Sequence, residues 1–409
     1  MGCKLYKTDK WWTAPLNFFS EVRSALKLPK KVVIHDITLR DGEQQAGVVF
    51  NKEDKIKIAK MLDEVGVHRI EAGMPAVSKE DKEAVKAIAH NGLNAEVFSF
   101  CRCMKRDVDL ALECDVDGVE MEIPSSEHMI KYAYDWPLEK ALKLPVEATK
   151  YAADHGLHVA FFTIDATRAN LDWWFKIINQ VAHEGHMDSL VLVDTFGVCT
   201  PEAIRYFVRR ARNQINKPIE AHFHNDFGLA TANTLAAICE GATIAHTTVN
   251  GIGERMGNAD LAEVALSLEA LYGVELGLRY DKLYELSKLV ERLSGIRMPP
   301  HKAAVGEGIY KVESGILASW WLRVKEANMP LVMYPYRWDL IGQKRPEIVL
   351  GKKSGRDSII YKLRELSLSV PEDQVDKILE EVKMEAVRRK SLISDHLFRE
   401  IVRRTSATS

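Results

Sequence analysis

The sequence lacks the usual marks of a membrane, secreted or nucleic-acid-binding protein. No apolar run reaches the roughly 20 residues that a membrane-spanning helix needs, and the first residues, Met1–Tyr6, contain no apolar signal segment. The 56 basic residues nearly balance the 58 acidic ones, so the formal net charge is only −2. Without an excess of positive charge, nothing draws the whole chain to nucleic acid or to an anionic membrane. We therefore expect neither as a partner.

Cysteine is also scarce. Six cysteines are scattered through 409 residues: Cys3, Cys101, Cys103, Cys114, Cys199 and Cys239. Disulfide frameworks belong to small, cysteine-dense secreted domains, so the sequence predicts reduced thiols in a cytoplasmic protein. Cys101 and Cys103 are close enough in sequence to share a metal ion, but we interpret them as small packing residues.

What the chain does contain is a long alternation of strand-like and helical segments. Helical patterns such as Lys52–Val65 and Pro201–Asn213 separate the strands, and Thr200 is the expected N-cap of the second. Eight such units over roughly 240 residues predict an α/β fold, a (β/α)8 TIM barrel, with a smaller, mainly helical C-terminal region after it. The eight predicted strands are Val32–Ile37, His68–Ala72, Ala95–Phe100, Gly118–Ile123, His158–Thr163, Ser189–Val193, Ile219–Phe223 and Thr243–Val249.

The same pattern suggests three regions along the chain. Residues 1–30 form an N-terminal extension with aromatic residues among its charges, residues 31–275 form the TIM-barrel catalytic domain, and residues 276–409 form a C-terminal subdomain. Within that subdomain we expect a linker, an irregular segment over 301–365, and helices.

Polar residues gather where the predicted strands end. In (β/α)8 barrels the catalytic groups lie at the C-terminal ends of the strands. We therefore expect the functional site at this end of the barrel. The residues at or just beyond the strand ends are Asp41, Glu71, Arg102, Ser125, Asp165, Thr195, His222, His224 and Asn250.

Two of these residues have the spacing of metal ligands. His222 and His224 are two apart on one strand, so their side chains point to the same face, roughly 7 Å apart along the backbone. Two such imidazoles can chelate one divalent ion, with Asp41 supplying an oxygen from a second strand end. The alternative for the bare spacing is a pair of hydrogen-bonded strand histidines.

Several longer motifs resemble one family in their order and spacing. They resemble the pyruvate-carboxyltransferase-like family, also called DRE-TIM metallolyases. This family includes the isopropylmalate, citramalate, homocitrate and Re-citrate synthases and, more distantly, hydroxymethylglutaryl-CoA lyase. The resemblance covers residues 31–275, and the matching segments are Asp36–Gln44, Ile70–Ala76, Asp165–Arg168, Asp194–Val198, His222–Asp226 and Gly251–Asn258.

The resemblance implies a metal site. By it, Asp41, His222 and His224 bind a divalent metal, and Asn258 is a further ligand or a support for one. Because two of the donors are imidazoles, Mn2+, Zn2+ and Co2+ are plausible occupants besides Mg2+.

The resemblance also implies a reaction, a Claisen-type condensation of an acyl-CoA, commonly acetyl-CoA, with a 2-oxo acid. The products would be a 2-hydroxy dicarboxylic or tricarboxylic acid and CoA, and the enzyme would be a homodimer. Arg40 resembles the catalytic residue that steadies the carbonyl oxygen as it becomes an alkoxide. Thr195 resembles the hydroxyl that binds the carboxylate of the 2-oxo acid.

The sequence departs from this family at the residues that set the substrate. Homocitrate synthases carry an arginine where this chain has Ala160 and a glutamate where it has Ile164. A pocket bounded by Ile164 favours a short or apolar 2-oxo acid, because a buried second carboxylate needs a partner. Arg102, at the end of the third strand, is the nearby cation that could bind such a carboxylate. The alternative for Arg102 is a structural ion pair.

The residues that move protons also differ. The synthases place a histidine where this chain has Leu317, and another family histidine is replaced by Val312. We therefore expect Glu254, which follows the eighth strand, to be the catalytic base, with Glu313, Tyr310 and His301 as further candidates. The alternative for Glu254 is an ion pair with Arg255 or a supporting role beside the metal.

Two other functions stay open at this point. A lyase of the hydroxymethylglutaryl-CoA type would run the reverse carbon–carbon cleavage, but the loop Gly251–Gly257 lacks the cysteine that such lyases carry. A barrel that only binds a metal or ligand would explain Leu317, but it would leave the intact metal triad unexplained.

Overall fold

The computed structural model describes residues 5–407, so Cys3 lies outside the described residues. The chain divides into two compact units. One is Ala14–Met298, and the other combines the described parts of Met1–Thr13 and Pro299–Ser409.

The unit Ala14–Met298 contains the eight strands of a closed barrel. The strands are β1 Val33–Asp36, β2 Arg69–Glu71, β3 Glu96–Arg102, β4 Gly118–Pro124, β5 His158–Ile164, β6 Ser189–Asp194, β7 Ile219–Phe223 and β8 Ile244–Thr247. Its helices are α1 Ser20–Arg23, α2 Lys52–Val65, α3 Lys79–Ala89, α4 Lys105–Cys114, α5 Glu127–Tyr132, α6 Leu138–Asp154, α7 Leu171–Glu184, α8 Pro201–Gln214, α9 Ala230–Cys239, α10 Leu261–Ala270 and α11 Leu283–Ser294.

All barrel strands are parallel, and each pairs with the next in sequence. The last strand pairs with the first, with Val33 opposite Ile244 and Asp36 opposite Thr247, which closes the sheet. Because helices follow the strands around the sheet, most strand residues are buried, including the polar ones that point into the barrel. The predicted TIM barrel is therefore confirmed.

Local signals explain where the helices begin. Thr200 accepts a hydrogen bond from the backbone N–H of Ala203, 3.3 Å away, and Pro201 occupies the first helical position. Asn51 and Asn170 cap α2 and α7 in the same way. Such caps satisfy N–H groups that the first helical turn leaves without a backbone partner.

The strands end close to where the sequence predicted, with two differences. Strand β3 extends two residues further than expected, to Arg102, because it pairs with β4 up to Glu122. Strand β8 stops at Thr247, since Asn250 takes a left-handed backbone conformation (φ 63°) within a short 3-10 turn. This turn redirects the chain into the loop that borders the candidate site.

The second unit is mainly helical and has its own core. It contains the short pair β9 Lys311–Val312 and β10 Glu347–Ile348, and the helices α12 Gly315–Glu326, α13 Arg356–Glu365, α14 Val375–Arg389 and α15 Asp395–Ala407. The segment 301–365, predicted to be irregular, therefore contains two helices. In α12 the buried residues Ala318, Trp321 and Val324 recur every third position, a period that the surrounding tryptophans and glycine obscure in the sequence.

The described cysteines form no disulfide, and four of the five are buried. Cys101 and Cys103 are both buried, and Sγ of Cys101 lies 3.5 Å from the carbonyl oxygen of Asp107 in α4. Burial raises the pKa of both thiols. Among the described residues, no helix combines the length and the apolar character that crossing a bilayer requires.

One close contact in the barrel wall gives a test of the fold. Gly118 begins β4 and lies opposite Phe98 of β3. In a Gly118→Ala variant the added Cβ would lie 2.5 Å from Cε1 of Phe98 and 2.9 Å from the carbonyl oxygen of His158. Overpacking of this kind costs about 1–3 kcal/mol, so the midpoint of urea unfolding should fall.

The matched control is the same substitution in a Phe98→Leu background, which removes the edge of the ring. There Gly118→Ala should cost less, because the main clash is gone. An equal cost in both backgrounds would contradict the clash as the cause.

Candidate active site

Three of the predicted metal ligands converge at the C-terminal end of the barrel. Asp41 follows β1, His222 lies in β7 and His224 follows that strand directly. The Nε2 atoms of the two histidines are 3.3 Å apart. Oδ2 of Asp41 lies 3.7 Å from Nε2 of His222 and 3.8 Å from Nε2 of His224. All three residues are buried, so the fold brings them together out of bulk solvent.

A divalent cation fits this triangle of atoms. A circle through three atoms at these separations has a radius of about 2.1 Å, close to the distance at which zinc binds imidazole nitrogen and carboxylate oxygen. Burial, together with the neighbouring His224 and His246, keeps the pKa of His222 well below its usual range. Its imidazole is therefore neutral, which is the form that binds metals.

Asn258 supports the triad from the loop after β8. Its Nδ2 donates a hydrogen bond to Oδ1 of Asp41 at 2.8 Å, and its backbone forms a bridge with His224. Its Oδ1 is buried and has no hydrogen-bond partner among the described residues. Asn258 thus fixes one ligand and keeps an unpaired oxygen close to the triad.

A hydrogen-bonded chain of buried groups orients His222. Its Nδ1 lies 3.3 Å from Nδ1 of His246, and Nε2 of His246 lies 2.7 Å from Oε2 of Glu220. Protons on Nδ1 of His222 and Nε2 of His246 satisfy both contacts and leave Nε2 of His222 free to bind a metal. Ser189 and Arg69 donate in turn to Glu220. Sequence reasoning missed this chain, although polar groups inside apolar strands were its signal.

The same region holds a second group of ligand-type side chains, formed by His35, Glu120, Glu220 and His246. Their ligand atoms lie within 4.8 Å of one another, and all four are buried. His246 already uses one nitrogen on His222 and the other on Glu220. We therefore interpret this group as the polar network beneath the triad.

Arg40 lies beside the triad and is held on three sides by carboxylates. Its Nε donates to Oε2 of Glu71 at 2.6 Å, and its Nη1 donates to Oδ2 of Asp41 at 2.8 Å. Its Nη2 lies 3.5 Å from Oε2 of Glu120, and Gln44 accepts a further bond from Nη1 at 3.2 Å. The guanidinium is therefore fixed in position before any substrate arrives.

The charges around Arg40 favour a cation at the triad. Burial raises the pKa of Glu71 and of Glu120. Burial would also raise the pKa of Asp41, but the charges of His224 and Arg40 outweigh it and lower that pKa. Asp41 thus keeps its negative charge beside Arg40, and a divalent cation at the triad would find that charge available.

A cavity of about 260 Å³ opens beside these groups. Phe100, Phe162, Ile164 and Val193 give it one apolar side. The remaining lining residues are polar or charged: Arg40, Asp41, Gln44, Glu122, Tyr134, Thr195, His222, His224 and Glu254. The cavity therefore joins the metal triad and Arg40 to a largely apolar wall.

Two predicted substrate-binding residues, Thr195 and Ile164, line this cavity. The hydroxyl oxygen of Thr195 accepts a hydrogen bond from the backbone N–H of Asp165 at 2.8 Å. Because the oxygen is engaged as an acceptor, its hydroxyl proton remains available to a ligand oxygen.

Glu254 lies at the rim of the cavity. Its side chain is 52% exposed, and its Oε1 lies 3.7 Å from Nη1 of Arg255. Its backbone N–H points to Oδ1 of Asp41 at 3.4 Å. Glu254 thus has both features that the sequence suggested: it lies near the triad, and Arg255 is its neighbour.

Arg102 does not line the cavity. Its Nε and Nη2 donate to the two carboxylate oxygens of Asp107, at 2.8 and 3.0 Å, and its side chain is 47% exposed. Three other strand-end residues also have structural partners: Ser125 bonds to the carbonyl of Ile164, Asp165 to Arg168, and Asn250 to the carbonyl of Ser287.

Glu122 and Tyr134 line the cavity, although neither was predicted from the sequence to be a site residue. Glu122 is in β4, two residues after Glu120, so both side chains point to the barrel interior. The hydroxyl of Tyr134, in the segment after α5, donates to Oε1 of Glu122 at 2.8 Å. Two glutamates on one face of an otherwise apolar strand were the signal that could have revealed them.

Comparison with known proteins identifies relatives over most of the chain. A family model described as HMGL-like matches residues 31–290. The chain is 41% identical to the homocitrate synthase AksA of Methanothermobacter thermautotrophicus, over 96% of this chain and 98% of that protein. It is 42% identical to the (R)-citramalate synthase of Methanocaldococcus jannaschii, over 86% and 70%. To the 2-isopropylmalate synthase of the same organism it is 41% identical, over 88% and 68%.

Solved structures support the fold. The HMG-CoA lyase of Bacillus subtilis superposes with a TM-score of 0.61 at 21% identity, covering 66% of this chain and 96% of that one. The hydroxymethylglutaryl-CoA lyase of Pseudomonas aeruginosa gives 0.60 at 20%, covering 69% and 98%. These similarities concern the barrel alone. Together with the family match and the close relatives, they establish that the chain belongs to the HMGL-like family of pyruvate-carboxyltransferase-type barrels.

Proposed function

We propose that this protein is an acyltransferase that condenses an acyl-CoA, acetyl-CoA first of all, with a 2-oxo acid. The observation that carries the proposal is the triangle of Asp41, His222 and His224, which opens on the same cavity as Arg40. The relatives named homocitrate, citramalate and 2-isopropylmalate synthases support it.

The reaction joins two carbon atoms. A base removes a proton from the carbon next to the thioester, and the freed electron pair forms a bond to the carbonyl carbon of the 2-oxo acid. The carbonyl π pair moves onto its oxygen, which becomes an alkoxide and then takes up a proton. Water finally cleaves the thioester and releases CoA and a carboxylate.

Each part of the site has a role in this sequence. A divalent cation held by Asp41, His222 and His224 would supply a Lewis acid for the oxygens of the 2-oxo acid. Arg40 stabilises the negative charge that develops on the carbonyl oxygen, because its guanidinium is already fixed and largely shielded from water. Thr195 donates its hydroxyl proton to the carboxylate.

The cavity wall favours a short or apolar 2-oxo acid. The tail of the substrate would meet Phe100, Phe162, Ile164 and Val193, which cannot pair with a second carboxylate. Arg102 is committed to Asp107 by two hydrogen bonds. A dicarboxylic 2-oxo acid would therefore need to break that ion pair or bury an unpaired charge.

The remaining features of the proposed enzyme concern the whole molecule. We propose a cytoplasmic homodimer with the three regions 1–30, 31–275 and 276–409. The free and mostly buried thiols support a reducing compartment. Light scattering on the purified protein tests the dimer, and limited proteolysis tests the region boundaries.

The metal site can be tested by removing its imidazoles. The parent protein should hold one divalent ion per chain at the triad, whereas the His222→Ala, His224→Ala double variant should lose it. Metal analysis after dialysis against Mn2+, Zn2+, Co2+ or Mg2+ measures this directly. The exposed His183, replaced by alanine, is the control and should leave the metal content unchanged. Equal metal content in the double variant and the parent would contradict the assignment of the triad as the metal site.

The role of Arg40 can be tested with a substitution that keeps the positive charge but removes the planar guanidinium. Arg40→Lys should lower kcat by about 10²- to 10³-fold, the usual effect of losing one oriented donor to a developing oxyanion. The rate of CoA release with acetyl-CoA and a panel of 2-oxo acids is the readout, with metal content measured in parallel. Arg209→Lys, a surface ion pair with Glu240, is the control. A rate within a factor of two of the parent counts against the role.

Arg102 provides the test of substrate class. If the apolar wall sets the preference, Arg102→Ala should change kcat/KM for monocarboxylic 2-oxo acids little, and dicarboxylic ones should be poor substrates of both proteins. The measurement compares pyruvate, a branched-chain 2-oxo acid, oxaloacetate and 2-oxoglutarate. Loss of turnover restricted to the dicarboxylic acids in Arg102→Ala would show that Arg102 binds a distal carboxylate and that the apolar preference is wrong.

A further inference from the structure

We propose that Glu122, held by Tyr134, is the catalytic base that removes the proton from the acyl-CoA. This inference rests on the condensation proposed above and assigns its proton transfer to a residue outside the family motifs that the sequence displays. It follows from the geometry of the cavity, which leaves few groups able to accept a proton.

The carboxylate of Glu122 is buried, and only one of its two oxygens accepts a hydrogen bond from the described residues. Glu122 is 8% exposed and lies at the C-terminal half of β4. Its Oε1 accepts the hydrogen bond from Tyr134 at 2.8 Å, while its Oε2 makes no hydrogen bond within residues 5–407. Glu122 borders the 260 Å³ cavity beside the triad and also a neighbouring cavity of about 510 Å³ that shares Arg40 and Phe100 with it. Glu122 thus borders two adjoining cavities.

The other groups that line the smaller cavity are already committed. Asp41 is bonded to Arg40 and Asn258 and faces both histidines of the triad. His222 and His224 are the proposed metal ligands, so their Nε2 lone pairs are not available to a substrate proton. That leaves two carboxylates, Glu122 and Glu254.

Glu254 and Glu122 differ in their exposure to solvent. Its side chain is half exposed and has Arg255 nearby, so it stays well solvated. Burial, by contrast, raises the pKa of Glu122. A higher pKa makes a carboxylate a stronger base toward a weakly acidic C–H bond. The burial of Glu122 beside the cavity and the raised pKa of its carboxyl group therefore both suit it to act as the base.

The pairing of β4 with β5 explains why Glu122 borders the cavity. Glu122 lies opposite Phe162 on β5, and Pro124 lies opposite Ile164. The end of β5 presents only apolar side chains to the cavity at these positions. The carboxylate on β4 therefore borders the same space from the neighbouring strand.

Tyr134 acts as a positioning residue. Its hydroxyl is held in the protonated form, because burial and the neighbouring Glu122 raise its pKa. It therefore donates to Oε1 and leaves Oε2 as the oxygen that can accept a substrate proton. The titratable or charged groups that face Glu122 are Tyr134, Arg40, Arg102, Asp107 and Cys103.

In the condensation step Glu122 both accepts the proton of the acyl-CoA and returns it to the product. The C–H bond of the acyl-CoA breaks, its proton passes to Oε2 of Glu122, and its electron pair forms the new carbon–carbon bond. The alkoxide beside Arg40 then takes the proton from the carboxylic acid and becomes the product hydroxyl. Glu122 is thereby restored as a carboxylate, and no further acid is required.

The direct test is exchange of the methyl protons of acetyl-CoA with D2O, measured by NMR with metal and oxamate, an unreactive 2-oxo acid analogue, present. General base catalysis contributes about 10²- to 10⁴-fold, so Glu122→Gln should slow exchange at least 100-fold with metal content unchanged. Glutamine keeps the shape and can still accept the bond from Tyr134, so folding should be preserved.

The chain offers a matched control pair. Tyr280 donates to Oε2 of Glu269 at 3.0 Å, away from the residues that line the cavity. Glu269→Gln should exchange at the parental rate. Exchange by Glu122→Gln at the parental rate would overturn the inference, and a loss found only in Glu254→Gln would transfer the role to Glu254.

A second readout separates the role of Tyr134 from a structural one. The hydrogen bond from Tyr134 lowers the pKa of Glu122, so Tyr134→Phe should raise that pKa. Because the base works only as a carboxylate, the acidic limb of the kcat/KM profile should move to higher pH. Tyr280→Phe should leave the limb in place. A limb that stays in place in Tyr134→Phe contradicts the pairing.

The outcomes also separate this inference from the proposed function. A parent enzyme that releases CoA, with Glu122→Gln as active as the parent, leaves the condensation standing and refutes Glu122. A parent enzyme that neither exchanges protons nor releases CoA with any 2-oxo acid tried overturns the condensation and this inference together.

Discussion

The ion pairs of Arg40 are the interaction on which the site depends. Its guanidinium is almost fully buried and contacts the carboxylates of Glu71, Asp41 and Glu120, which arrive from different strands. A buried charge is tolerable only when its partners are held in place. The closed barrel does this, since each carboxylate belongs to a strand or strand end whose position is fixed by backbone pairing. The proposed metal triad shares Asp41 with this cluster, so both groups are ordered by one set of contacts.

Much of this arrangement was predictable from the sequence. The alternation of apolar and helical segments gave the barrel, and the strand ends gave Asp41, Thr195, His222 and His224 their places, because strand ends converge in any closed parallel barrel. The sequence left the role of Arg102 open between substrate binding and a structural ion pair. Its partner Asp107 is only five residues away, so this ion pair is a local contact along the chain.

Other features depend on contacts that no local pattern encodes. Tyr134 meets Glu122 because the chain leaves β4, forms α5 and turns back over the cavity. Likewise His246 reaches His222 only through the adjacency of β7 and β8. Such pairs are set by how elements pack, so the sequence can mark the buried polar residues but cannot say which of them meet. The relatives at 41 to 42% identity fix the family, but the partners of these polar side chains had to be read from the fold.

The strands divide the work of the cavity between them. The proposed metal ligands come from β7 and from the segments that follow β1 and β7, whereas the apolar wall comes from β3, β5 and β6. The two sets nevertheless touch, because Phe100 and Phe162 pack against the guanidinium of Arg40 and Phe162 also packs against His222. A substitution at either phenylalanine would therefore alter the surroundings of these two residues as well as the fit of a substrate. The aliphatic wall positions Ile164 and Val193 are the ones where a barrel of this kind can acquire a new substrate by gene duplication and point mutation while its chemistry persists.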